Sequence, residues 1–132
     1  DGTGAIDLAS LSGPSIVTIW ASWCLPCQRE LPAFATVWEQ ARAQNSGVHF
    51  LGLNWLDDPE SAAANAQELG ITFPSLFDGD GVARGALAIN AQPATLFIDE
   101  SGDIVHVERS AIDDPAVLRQ MIATHLGIEV TG

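Results

Sequence analysis

Ser15-Ile16-Val17-Thr18-Ile19-Trp20 carries no charge over six residues, a pattern that predicts a strand buried on both faces. The period then changes. Leu31, Phe34, Trp38 and Ala41 recur at the spacing of one helical face, and Asn45-Ser46-Gly47 supplies the stop. Pro32 falls inside this helix, lacks the N–H for its ladder and clashes with the Gln28 carbonyl, so a kink is expected. Val48 to Leu53 reads as a second strand. Asp58-Pro59-Glu60 then gives an N-cap, a proline at the first helical position and an acid in the first turn of an alanine-rich helix that stops at Gly70.

Asp78-Gly79-Asp80-Gly81 has the look of a calcium loop but lacks its bidentate glutamate and full ligand spacing, so it predicts a turn, with a short helix over Val82 to Ile89. Pro93 opens a third strand that runs to Asp99, since proline can begin a strand but not sit inside its ladder. After Ser101-Gly102, the alternation over Asp103 to Arg109 predicts its antiparallel partner. Asp114-Pro115 caps a last helix, with Val117, Leu118, Met121, Ile122 and Leu126 on its apolar face and Gly127 as its end. Near the start, Ile6 and Leu8 alternate ahead of the Ser12-Gly13-Pro14 turn, which suits a short edge strand. The order β, βαβ, α, α, β, β, α is an α/β arrangement.

The chain has 132 residues, enough for one domain with its own core, and 1–132 is read as that single domain. Its net charge is −12, with five arginines and no lysine, which argues against nucleic acid or an anionic membrane surface as a partner. No run reaches the eighteen apolar residues of a membrane span. The chain opens on Asp1 without a methionine, so a leader or anchor is expected to have preceded it.

Chemistry enters at Trp23-Cys24-Leu25-Pro26-Cys27. The two cysteines are the only ones present; they pair with each other, share a metal, or stay free. A Cys-x-x-Cys between a strand and a helix reads as a dithiol/disulfide redox centre. Cys24 falls at the helix start, where unpaired N–H groups and the positive end of the dipole favour a thiolate, the attacking species in disulfide exchange. Cys27 is three residues on, along the same face, and can close a short disulfide that ejects the substrate. Pro26 loses nothing by lacking an N–H in a first turn.

Trp20-Ala21-Ser22-Trp23-Cys24-Leu25-Pro26-Cys27 resembles the active site of thioredoxin-like proteins. It is most similar to the membrane-tethered, extracytoplasmic thiol-disulfide oxidoreductases of the cytochrome c maturation group (TlpA-, ResA- and CcmG-like), over about Leu8 to Leu126. The resemblance implies a thioredoxin-like α/β/α sandwich with a central mixed sheet and an inserted helix after the second core strand. It also implies an X-Pro with a cis bond at Gln92-Pro93, packed on the cysteines. There Pro93 keeps metals off them and Gln92 offers its backbone to a substrate strand. Trp23, Leu25 and Pro26 would complete the substrate surface. Thr18 stands where cytosolic thioredoxins carry a buried aspartate. Asp57 matches instead the acid that the extracytoplasmic group places before its inserted helix, usually a glutamate, and would shuttle the proton of Cys27.

The implied activity is exchange of electrons with a protein disulfide or dithiol, without cofactor beyond the Cys24–Cys27 disulfide. The implied setting is extracytoplasmic and membrane-tethered, with electrons supplied by a membrane thiol reductant. The expected role is reduction of envelope proteins such as apocytochrome c, by a monomer. Two other readings stand beside it: an oxidant that forms disulfides in exported proteins, and a copper-handling protein using both thiolates as soft ligands. Arg29 and Glu30, after Cys27, are expected in solvent, where Arg29 favours the thiolate by charge. Trp20, Trp38 and Trp55 are expected to pack. His49, His106 and His125 lie on different elements without ligand spacing, so no metal site is expected of them.

Overall fold

A computed structural model describes residues 13–55, 57–78 and 93–132. The Ile6/Leu8 strand, the Gly79–Gly81 part of the acidic turn, the Val82–Ile89 helix and Gln92 lie outside the described residues. The elements, in chain order, are β1 (Ser15–Trp20), α1 (Leu25–Ala43), β2 (His49–Trp55), α2 (Pro59–Glu68), β3 (Ser75–Asp78), β4 (Ala94–Ile98), β5 (Ile104–Glu108) and α3 (Pro115–Leu126). They build one mixed sheet in the order β3-β2-β1-β4-β5. β1 pairs in parallel with β2, from Ser15↔His49 to Trp20↔Asn54, and antiparallel with β4, from Ser15↔Ile98 to Ile19↔Ala94. With partners on both sides and both faces covered, all six β1 residues are buried, as their uncharged run predicts.

β3 was not legible as a strand. Ser75–Asp78, directly after Pro74, adds to β2 in parallel and closes a second βαβ unit around α2. Gly52 makes the approach possible. A Cβ there would lie 2.2 Å from Ser75 Oγ, 3.0 Å from Trp20 Nε1 and 3.3 Å from Phe73 Cε1.

The pleat divides the core. On one face Ile16, Trp20, Phe50 and Phe97 meet Leu31, Phe34 and Val37 of α1 and Leu118 and Ile122 of α3. The other face buries Val17, Ile19, Leu53, Leu96 and Ile98. Each such side chain contributes about 1.5–3 kcal/mol of transfer free energy, so the sheet and the two helices are held as one body. α1 runs unbroken through the exposed Pro32, and Trp38 is partly buried on Phe50 at 5.6 Å between rings. Val117 departs from its expected place: the buried stripe of α3 is Leu118 and Ile122, and Val117, one residue off it, is exposed.

The helix ends follow their sequence signals. Asp58 and Asp114 cap α2 and α3, accepting the N–H of Ser61 (2.9 Å) and Ala116 (2.9 Å). Asn45, Gly47, Gly70 and Gly127 take positive φ where the helices stop. Gly52→Ala should lower the unfolding free energy by about 1–3 kcal/mol, because Ser75 and Trp20 must yield to the new methyl. A urea midpoint unchanged from wild type would show that β3 does not need this close approach.

Candidate functional site

β1 and β2 run parallel, so their C-terminal ends meet at one edge of the sheet, where α/β proteins place their chemistry. From that edge Trp20 leads through Ala21-Ser22-Trp23 into α1, and Cys24 becomes the helix N-cap. Its N–H donates to the Ala21 carbonyl (3.2 Å), and its own carbonyl accepts the Gln28 N–H (3.2 Å). Cys24 and Cys27 form a disulfide with their Cα atoms 5.3 Å apart. The Cys27 N–H also donates to Cys24 Sγ at 3.3 Å. A donor that can stabilise a Cys24 thiolate is therefore already aimed at the sulfur, at the positive end of α1. Cys24 retains 5% exposure and Cys27 none, so Cys24 is the sulfur a partner can reach.

Apolar surface surrounds that opening. Trp23 is 53% exposed and Leu25 66%, and the Trp23 ring rests on Trp55 at 5.5 Å. Pro26, in the first turn of α1, is half-buried. Pro93 is buried directly before β4. Because Ala94 pairs with Ile19, Pro93 lies one step beyond the ladder, at the end of β1 that leads to the cysteines. Trp20 packs in the core, as expected.

Glu30 corrects the expectation of a solvated side chain. It has no exposed surface and lies on the Cys27 face of α1, one helical turn on. Thr18 Oγ1 donates to its Oε1 (3.1 Å), and the Ile112 N–H donates to its Oε2 (2.8 Å). Burial pushes its carboxyl up to about 7, against the opposing pull of the Ile112 amide and the Thr18 hydroxyl. Glu30 thus places a buried α1 carboxyl directly against Thr18 of β1. The signal was in the spacing: Glu30, Phe34, Val37 and Ala41 form an apolar stripe with one acid in it.

Asp57 stands at the same edge, half-buried after β2. It accepts the Ser22 N–H (2.6 Å), the Ser22 hydroxyl (2.7 Å), the Asn54 amide (3.1 Å) and the Asp58 N–H (2.9 Å). Partial burial pushes its carboxyl up, but these four donors outweigh it and hold the group below the usual aspartate value. The histidines do not join the site. His106 and His125 instead stack face to face at 4.0 Å against Phe97, a contact no sequence spacing announced. Among the described residues, no group of three or more His, Cys, Asp or Glu side chains is placed to hold a metal.

A Cys-x-x-Cys disulfide at the N-terminus of α1, on a mixed sheet of this order, defines a thioredoxin-like fold and site. The chain belongs to the AhpC/TSA family, which residues 1–107 match. It is 34% identical over 99 residues to the thiol:disulfide interchange protein DsbE of Escherichia coli, covering 74% of this chain and 50% of that protein. It is 27% identical over 103 residues to the thiol-disulfide oxidoreductase ResA of Bacillus subtilis, covering 77% of this chain and 56% of that protein. The chain therefore spans about half the length of the curated relatives it matches. A secreted Mycobacterium tuberculosis disulfide oxidoreductase, described as homologous to E. coli DsbE, superposes with a TM-score of 0.76 at 27% identity, over 88% of this chain and 85% of that one.

Glu30 generates a pH signature. A carboxyl raised in the folded protein binds its proton more tightly there than in the unfolded chain. The stability it contributes is full below the ordinary glutamate range and is lost as pH rises through about 7. The advantage of wild type over Glu30→Gln should thus shrink between about pH 5 and pH 8, by a maximum of about 3 kcal/mol. Parallel urea-stability profiles for the two proteins would show that Glu30 is not raised.

Proposed function

We propose that this chain is a protein thiol-disulfide oxidoreductase working through Cys24 and Cys27. The observation that carries this reading is the asymmetry of the pair: an N-capping, reachable Cys24 and a fully buried Cys27 on one disulfide. In the reducing direction the Cys24 thiolate attacks a substrate disulfide, forms a mixed disulfide and releases one substrate thiolate. Cys27 gives up its proton and attacks Cys24 Sγ. The second substrate sulfur leaves, and two electrons have passed to the substrate as the Cys24–Cys27 disulfide forms. The proton of Cys27 goes to Glu30, which lies on the same buried helical face and titrates near neutral pH. Asp57, held in its anionic form by four donors, is the poorer proton acceptor of the two.

Trp23, Leu25 and Pro26 form the surface on which the substrate segment rests, and Gln92 and Pro93 hold that segment alongside the cysteines. The substrate is a cysteine pair in an envelope protein such as apocytochrome c. The setting is extracytoplasmic, with a membrane tether and a membrane thiol reductant that returns Cys24–Cys27 to the dithiol. The secreted M. tuberculosis neighbour supports a setting outside the cytoplasm, and the DsbE and ResA relatives support thiol–disulfide exchange as the chemistry. The charge of −12 favours a monomer. No cofactor beyond the disulfide is needed for the steps above.

The direction of electron flow is a free-energy difference. Equilibrated against a thiol–disulfide buffer, with tryptophan fluorescence as the readout, the pair should show one two-electron transition near or below about −220 mV. A potential near about −120 mV would make the protein a disulfide-forming oxidant instead. Absence of any transition would remove the redox reading altogether.

A further inference from the structure

We propose that Asp57 is a positioning residue whose carboxylate clamps Ser22 and so fixes the turn that carries Cys24. This rests on the redox reading of Cys24–Cys27 and adds to it the group that aligns the attacking sulfur. The turn from Ala21 to Cys24 has left the β1 ladder and has not yet entered the α1 ladder. Its own backbone closes one bond, Cys24 N–H to the Ala21 carbonyl. Ser22, in the middle, sends both its N–H and its hydroxyl to the two oxygens of Asp57. Hydrogen bonds to a carboxylate are roughly twice as strong as neutral ones, and a two-point attachment fixes direction as well as distance.

The clamp is itself anchored. Asn54, buried at the end of β2 and paired in register with Trp20, donates to Asp57, as does the N–H of Asp58, the cap of α2. A second tie runs parallel to it. Gln28 and Asn65 exchange amide hydrogen bonds (2.9 and 2.6 Å) between α1 and α2, and Gln28 Nε2 also reaches the Ala21 carbonyl (3.2 Å). Asp57 thus grips the turn at Ser22, and Gln28, tied to Asn65 of α2, grips it at Ala21. A site held from rigid elements in this way keeps its geometry through a reaction.

The clamp acts unequally on the two redox states. In the oxidised protein the Cys24–Cys27 bond restrains the turn by itself. After reduction that covalent restraint is gone, and Asp57 keeps Cys24 Sγ in line with the Cys27 N–H and the helix terminus. Loss of the clamp therefore costs the reduced, thiolate form more than the oxidised form. Asp57 acting merely as a nearby negative charge would do the reverse, because a carboxylate disfavours a neighbouring thiolate. The two roles predict shifts of opposite sign.

The test uses the full chain as wild type, Asp57→Ala, Asp57→Asn and Ser22→Ala. Alkylation of Cys24 in the reduced proteins is followed against pH, and the potential is measured against glutathione. Urea unfolding of the oxidised proteins reports folding. Asp57→Ala should raise the Cys24 thiol pKa by about one unit, which lowers its thiolate fraction by up to about tenfold at pH values below that pKa, and make the potential more negative. Asp57→Asn keeps an acceptor for the Ser22 N–H and should fall between Ala and wild type; Ser22→Ala should shift in the same direction, by less. If Asp57→Ala does not fold, the other two variants carry the same comparison. An unchanged or lowered thiol pKa in the Asp57 variants overturns the clamp. A wild type with no two-electron transition sinks the redox reading and the clamp together, whereas a normal wild type beside unshifted variants sinks the clamp alone.

Discussion

A cysteine occupies the N-cap of α1, the position where serine, threonine or aspartate ordinarily satisfies the first free amides of a helix. Sulfur is a weak acceptor when neutral and a strong one as a thiolate, so this cap improves when Cys24 ionises. The rest of the molecule serves to hold that junction. β1 is buried on both faces and paired on both sides, which leaves its C-terminal end one place to go. α1 is fixed by Leu31, Phe34 and Val37 on the sheet, which brings its first turn back to the end of β1 and leaves the short turn between them to be held by Asp57.

Two carboxyls of opposite character flank the junction. Glu30 is dry, bonded to one hydroxyl and one amide, and sits near 7 because two donors do not offset full burial. Asp57 is only partly covered and meets four donors, so it stays ionised. A pair of titratable groups pushed apart in this way differs in what each can do: one can take up or release a proton near neutral pH, and the other keeps a fixed charge. The sequence neighbour of the motif proved to be the buried one, and the more distant acid proved to be the one touching the turn.

Much of this was legible in the chain. β1, the caps at Asp58 and Asp114, the glycine stops and the Cys-x-x-Cys at a strand–helix junction all follow from local rules of period and capping, which need no tertiary partner. What escaped depends on partners far apart in sequence. β3 is four residues behind a proline and exists because Gly52 lets Ser75 approach. Glu30 carries a charge, which outweighed its place in the Phe34–Val37–Ala41 stripe, although Thr18 and Ile112 were waiting for it. His106 and His125 come from a strand and a helix that meet over Phe97. Asp57 was visible as a site residue, but its contact with Ser22 spans 35 positions and has no local signature.

The division of roles between the two sulfurs is open to one direct measurement. Reduced Cys27→Ser and reduced Cys24→Ser are each mixed with a disulfide-bonded peptide, and covalent adducts are counted by mass spectrometry. With Cys24 as the reachable attacking sulfur and Cys27 as the buried resolving one, Cys27→Ser accumulates a stable mixed disulfide through Cys24, near one peptide per chain. Cys24→Ser forms almost none. Equal adducts on both variants, or an adduct only through Cys27, would contradict that assignment and the reading of the N-cap as the seat of the chemistry.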